Sequence, residues 1–255
     1  MSSRRCALLL ALSALAGCVP GHYRVDAGAA FTALDGRIGL QNSSGTLVLA
    51  DNMNDFAGNL GLGDTESSPY VRAEADFGDH RVKVSYLANH GTGTGTLGGA
   101  FGDIPAGTAV TTDLDFTNVT ASWSYDLAPT SLLRVAPGVQ VGYYNFDISV
   151  RSTTPVAFET VNTDLIAPMP YLDVEVDLGI VDAGVNIGLM SANLHDATSR
   201  YTDAEAFARV TPFPGLELIA GYRYILMDAH GSASGRDFDA DFVVEGFFLG
   251  GGIHF

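Results

Sequence analysis

Two short patterns in the sequence place groups that could activate a water molecule. Asp113 and Asp115 form an Asp-x-Asp, and Asp228 and His230 form an Asp-x-His. Residues two apart on a strand share a face, so each pattern presents its side chains together, and a carboxylate beside an imidazole can serve as a general base. Ordinary loop residues are the competing account of all four positions. The other candidate motifs lose to their surroundings. Gly93, Gly95 and Gly98 satisfy G-x-G-x-x-G, but no strand-helix-strand unit encloses them, as dinucleotide binding requires. The acidic stretch around Asp51 and Asp55 has Met53 where a calcium loop needs an oxygen ligand. The histidines are scattered without metal-ligand spacing, so neither a metal nor a cofactor is expected.

The larger set of charged residues sits on alternating segments, which are the elements that must position any site. Val71, Ala73, Ala75 and Phe77 alternate with Arg72, Glu74 and Asp76; after a turn at Gly78 and Asp79, Val82, Val84, Tyr86 and Ala88 alternate with Arg81 and Lys83. This period of two marks strands with one apolar face. The same grammar sets Leu172, Val174 and Val176 against Asp173, Glu175 and Asp177, and Ala204, Ala206 and Ala208 against Asp203, Glu205 and Arg209. Arg134, Glu217 and Arg223 fall on the polar phase of two further strands. In the last stretch Phe238, Ala240, Phe242 and Val244 face away from Asp239, Asp241 and Glu245; from Phe247 the apolar phase turns odd-numbered, through Leu249 and Ile253 to Phe255, and a bulge near Glu245 or Gly246 is expected.

About ten strands follow from this count, joined by short turns near Gly78, Pro129, Gly179 and Pro214 that alternate with long connections, among them a Gly- and Thr-rich loop over residues 90–112. The fold class expected is all-β, an antiparallel up-and-down transmembrane barrel. No apolar run is long enough for a transmembrane helix. In such a barrel the charges line the lumen as an ion network, either a plugged interior or a narrow cation-preferring path, and Phe116 and Phe146 join Phe77, Trp123, Tyr125 and Phe255 as outward interfacial aromatics. A soluble lipocalin-like barrel, apolar inside and charged outside, is the structural rival.

The 255 residues carry 13 Lys plus Arg against 29 Asp plus Glu, a formal charge of −16 that argues against nucleic acid as a partner. Arg4 and Arg5 precede the apolar run Cys6 to Leu15, the organisation of an export signal. Residues 1–17 are therefore expected to be removed, 18–30 to form a periplasmic leader, and 31–255 the barrel. Leu15, Ala16, Gly17 and Cys18 match a bacterial lipobox, which would lipidate Cys18; cleavage after the Ala14, Leu15, Ala16 triplet would instead leave Cys18 free.

The closing segment ending on Phe255 resembles the last strand of Gram-negative outer-membrane barrels. That resemblance implies outer-membrane localisation, lipid as partner, Phe255 as part of the signal read by the barrel-assembly machinery, and a monomer. The stretch from Gly58 to Tyr86, with Leu60, Gly61, Leu62, Ser68, Pro69, Tyr70, His80 and Arg81, resembles a group of uncharacterised outer-membrane barrels, as do Phe101, Gly102 and Asp103 with Ala106, Gly107 and Thr108. It implies a structural, adhesive or narrow-channel role. Asp113, Asp115, Asp228 and His230 resemble the paired elements of omptin proteases, which implies a surface hydrolase as the alternative.

Overall fold

Alternation of apolar and polar side chains is the dominant signal of the sequence, and in the computed structural model it becomes a closed antiparallel barrel. The structure describes residues 21–127, 130, 132–194, 197–233 and 235–255. The expected signal segment, Cys18 and Pro129 lie outside the described residues. The strands are β1 (His22–Leu40), β2 (Asn54–Asp55), β3 (Glu66–Phe77), β4 (His80–Thr96), β5 (Ala109–Tyr125), β6 (Leu133–Thr153), β7 (Val156–Asp177), β8 (Val181–Leu194), β9 (Ala197–Phe213), β10 (Leu216–Ala233) and β11 (Arg236–His254). Eleven strands are joined in sequence order, β11 returns to β1, and β2 is a two-residue spur on β1, leaving ten in the wall. Joining β1 to β11 removes the two edges that an open sheet would leave.

The wall has two zones of opposite phase. Near the chain termini the outward side chains are apolar, as with Val82, Val84, Trp123, Val139, Val141, Leu218, Leu249 and Ile253, and the inward ones are charged. From Leu133 to Tyr143 on β6 this belt covers ten strand steps, roughly 25 Å of height at ~3.3 Å per residue and a tilt of ~40°, which matches a bilayer's hydrocarbon band. Farther from the termini the phase inverts: Leu114, Phe116, Phe146, Ile148, Val150, Phe238 and Phe242 are buried inside, and the outward positions are mostly polar. A wall leaving the bilayer faces water, so its apolar side turns inward.

This inversion corrects four expectations. Phe116 and Phe146 are core residues, 0% and 2% exposed, and no part of an outer aromatic rim. No bulge interrupts β11, because its register with β1 and β10 is unbroken from Phe238 to Ile253; the apolar residues change sides and the ladder does not slip. Both ends of the loop expected over 90–112 are strand, residues 90–96 in β4 and 109–112 in β5, as are 156–171, since their polar outward face masks the pattern a lipid-facing strand shows. The barrel also begins earlier than residue 31. His22 to Ala30, expected in a leader, pair with β3 and, from Arg24, with β11 as well, and their Ala and Gly content carries little apolar signal.

Candidate functional site: an ion-filled lumen under an apolar cap

Inward positions of the belt strands bring the sequence's charges together. Arg72 of β3 lies beside Glu74 and 2.5 Å from Glu205 of β9, and its guanidinium stacks 4.2 Å from the centre of the Phe207 ring. Arg209 reaches Glu74 at 3.1 Å, Glu217 at 3.4 Å and Asp26 at 3.7 Å while being completely buried. Lys83 binds Asp173 at 2.8 Å, and Arg81 bridges Asp76 and Glu175. One level farther from the termini, Arg223 donates to Asp203 at 2.8 Å, to Asn118 at 2.9 Å and to Ser85 at 2.8 Å, and Gln140 donates to the same Asp203 at 3.1 Å. Buried charges are tolerable only when paired and hydrogen-bonded, and strands from around the ring supply the partners. The central void among these groups is about 20 Å³, about enough for one water molecule.

Arg24, Asp26, Asp182 and Phe207 join these charges and escaped sequence reasoning. Asp26 belongs to the segment expected as a leader. It shares a level with Glu217, since both stand opposite Gly252 of β11; a Cβ there would come within 2.2 Å of Asp26 Oδ1, so the missing side chain gives the carboxylate its space. Phe207, an aromatic in the charged phase of β9, is also within 5.5 Å of Lys83 and 5.2 Å of Arg209. Cation–π attraction explains why it tolerates such company.

Above the ions the lumen is capped by the connection between β1 and β3. Phe56 in that connection is fully buried and packs edge-on to Phe242 at 5.9 Å and Phe146 at 6.3 Å, with Leu60 and Leu62 buried beside it. The polar groups of the cap are tied to the β4–β5 connection. Asn54 Oδ1 accepts the Gly98 and Gly99 N–H groups at 2.9 and 3.2 Å, and Asn52 Oδ1 accepts the Ala100 N–H at 3.0 Å. Asp103 accepts from Ser43 N–H and Oγ–H, both at 3.0 Å, which holds its carboxyl below the usual Asp range. Glu159 of β7 accepts the Asp103 N–H at 2.8 Å and binds Arg236 at 2.5 Å, latching the cap to the wall.

Arg72, Arg81, Lys83, Asp173, Glu175, Asp203, Glu205, Arg209, Glu217 and Arg223 are thus inside and buried, as the alternation predicted. Arg134 lies at the rim nearest the termini, bound to Asp126. Asp177 keeps the inward phase but stands at the lumen mouth: it is exposed at the end of β7, where it accepts the Gly179 N–H at 2.7 Å and lines a cavity with Arg81, Arg134 and Glu175. Asp239 and Asp241 are also not lumen residues, since they alternate with the buried Phe238, Ala240 and Phe242 and face outward beyond the belt.

The two candidate hydrolytic pairs do not converge. Asp113 and Asp115 face outward on β5, Asp228 and His230 outward on β10, and these strands stand on opposite sides of the ring. His90 pairs with Asp115, and His230 lies between Asp228 at 3.2 Å and Asp239 at 2.9 Å. Among the described residues no group of three or more His, Cys, Asp or Glu side chains could hold a metal.

The outer membrane protease OmpT of Escherichia coli superposes with a TM-score of 0.56 and 7% identity over 94% of this chain and 99% of that one. The chain has the fold of an outer-membrane β-barrel. Two further barrels align less closely. Ail of Yersinia pestis has a TM-score of 0.36 at 11% identity over 93% and 100% of the chains, and the toluene transporter TbuX of Ralstonia pickettii 0.37 at 9% over 93% and 90%. No family model and no curated protein matches the sequence. The outer-membrane architecture, with apolar belt outside and charges inside, replaces the lipocalin-like alternative, which requires the reverse polarity at the belt.

Proposed function

We propose that this protein is a structural and adhesive barrel of the Gram-negative outer membrane, with a lumen closed to solute flow. The observation that carries this reading is that two successive levels of the interior are filled: ion pairs from Arg72 to Arg223 occupy the belt level and Phe56 with its aromatic neighbours the level beyond, while the 220 Å³ cavity beside Arg81, Arg134 and Glu175 lies at the mouth nearest the termini. A cation path would need connected water, and the ionic layer is packed around a void of about 20 Å³. The exposed part beyond the belt supplies the adhesive surface. There the β6–β7 hairpin carries Phe158 and Val156, 56% and 89% exposed, with Arg151 stacked on Phe158 at 5.1 Å. Aromatic and guanidinium groups in water on a rigid sheet are the residue types that anchor interfaces.

The rest of the reading concerns biogenesis. Residues 1–17 act as an export signal, Cys18 is the lipidation site, and Phe255 contributes to recognition by the barrel-assembly machinery; the folded barrel acts as a monomer. Phe255 stacks on Tyr23 at 5.7 Å across the β1–β11 seam, which supports a role in closure. Planar-bilayer recording from purified protein tests the closed lumen. A silent baseline supports it, and steady, uniform conductance steps would replace it with the channel reading.

A further inference from the structure

The wall is not paired throughout. β7 and β8 are in register from Asp177 opposite Asp182 to Tyr171 opposite Gly188, and there the ladder stops. Both strands continue: β7 stays paired with β6 as far as Val156, and β8 with β9 as far as Leu194. Among the described residues, β7 from Pro170 onward has no partner on its β8 side. The sequence contains the cause. The Asp177 N–H donates to Leu132 on the β6 side and the Leu178 N–H to Val181 on the β8 side, so even-numbered β7 residues direct their N–H at β8. Pro168 and Pro170 occupy two successive even positions, and proline has no N–H to give.

The break lies within the lipid-facing belt. On the same level Tyr143, opposite Ile166, ends the outward apolar run of β6. Unpaired backbone in hydrocarbon costs several kcal/mol per group, so a seam here runs against the rule that closes the rest of the ring. It also uncovers the interior. Leu165 and Met190 belong to the inward phase, yet they are only partly buried, whereas Leu87 and Phe116 behind the continuous wall are 1% and 0% exposed. Met169 lies between them and the ionic layer, whose Gln140 approaches Gly188.

We propose that the β7–β8 seam is a lateral binding site for a single lipid acyl chain, entering from the membrane leaflet away from the chain termini and packing against Leu165, Met169 and Met190. The seam is continuous with the belt through Ile166, Pro168 and Leu189, all outward-facing, and at that depth hydrocarbon chains are the surrounding solvent. Thioether side chains suit a guest of variable shape. The site ends on the polar layer, which limits how far a chain can enter. This goes beyond the structural role and does not depend on the adhesive reading.

Photo-crosslinking in native outer-membrane vesicles with a diazirine-bearing fatty-acyl phospholipid tests it. Mass spectrometry should find adducts on the partly buried, inward-facing Met190 or Leu165 in the unaltered protein, and none on Leu87 or Phe116. The Pro168→Val/Pro170→Val variant restores both donors, so inward adducts should fall at least tenfold while those on outward Leu172 and Val174 persist. Adducts confined to outward positions in the unaltered protein would overturn the proposal, whether or not the variant folds. Inward adducts that survive restored pairing, verified by slowed amide exchange at Leu189 and Ser191, would overturn the role given to the seam. A cross-linked dimer through β7 would show a second copy covering the edge, and would equally refute an acyl site.

Discussion

Replacing Arg72 by Met tests whether the lumen is held by charge compensation. Arg72 is 2% exposed, pairs with Glu74 and Glu205, and covers the Phe207 ring. Met preserves most of the buried volume, so the dominant effect is two carboxylates left without their nearest cation. Removing one partner of a buried pair costs about 3–5 kcal/mol. Guanidinium unfolding in detergent micelles, followed by Trp123 fluorescence and heat-modifiable gel migration, would read this as a midpoint lower by about 1 M at a slope of roughly 4 kcal/mol per M. The second arm is decisive. Adding Glu205→Gln to Arg72→Met should recover part of the loss, because one uncompensated charge disappears; on an intact chain Glu205→Gln alone should be destabilising, since it weakens Arg72 and Arg223 together. Equal midpoints for Arg72→Met and the unaltered protein, or additive losses in the double variant, would refute charge compensation as the force packing this layer.

Three further perturbations address other parts of the molecule. Phe56→Ala should cost about 3–5 kcal/mol locally and release the cap, read as new protease cleavage between Gln41 and Thr65 with no change in the resistance of the wall. The pH response of the cap follows from Asp103: its folded pKa is depressed by the Ser43 donors, so its contribution is complete above the ordinary Asp value of about 4 and fades as pH falls through the lower folded value. Protection of the Ser43 amide, taken relative to its intrinsic exchange rate at each pH, should therefore be unchanged between pH 8 and pH 5 and fall below about pH 4; a loss of protection already at pH 5 would contradict this latch. Deleting Ile253 to Phe255 removes the Phe255 stack on Tyr23 and the end of the β1–β11 seam, and should reduce the heat-modifiable, protease-resistant form in outer-membrane fractions. A folded, soluble periplasmic product would argue against the membrane assignment.

The belt half of the barrel was legible because its strands carry both signals at once, apolar on one phase and charged on the other. Arg72, Lys83, Glu175 and Arg209 could be placed in the lumen from parity alone. The cap half was less legible because its phases are reversed: Leu114 and Phe116 on β5, or Phe238 to Val244 on β11, have the same period as lipid-facing residues, and period does not state which side is wet. Asp239 and Asp241 were assigned inward for that reason. Asp177 keeps the parity of Asp173 and Glu175 but sits at the open mouth, because the last residue of a strand also serves the turn. The association of Asp26 with Glu217 was invisible, depending on a glycine in the strand between them. Pro168 and Pro170 could have revealed the seam, because two prolines at alternate positions remove donors from one edge only.

The two halves of the wall follow one constraint applied in two solvents. Within the belt the outside must be apolar, so an apolar interior would make the strands hydrophobic on both faces, without the alternation that fixes register. Charged inward residues restore that alternation, and their pairing across the lumen joins strands far apart in sequence, as Arg72 on β3 joins Glu205 on β9. Beyond the belt water surrounds the wall, alternation is satisfied by an ordinary apolar core, and the β1–β3 connection folds inward to complete it with Phe56. The change of phase on β11 between Val244 and Phe247 therefore marks the depth at which bilayer gives way to water. The seam between β7 and β8 begins on the bilayer side of that boundary, where the two strands stop pairing at Tyr171 and Gly188.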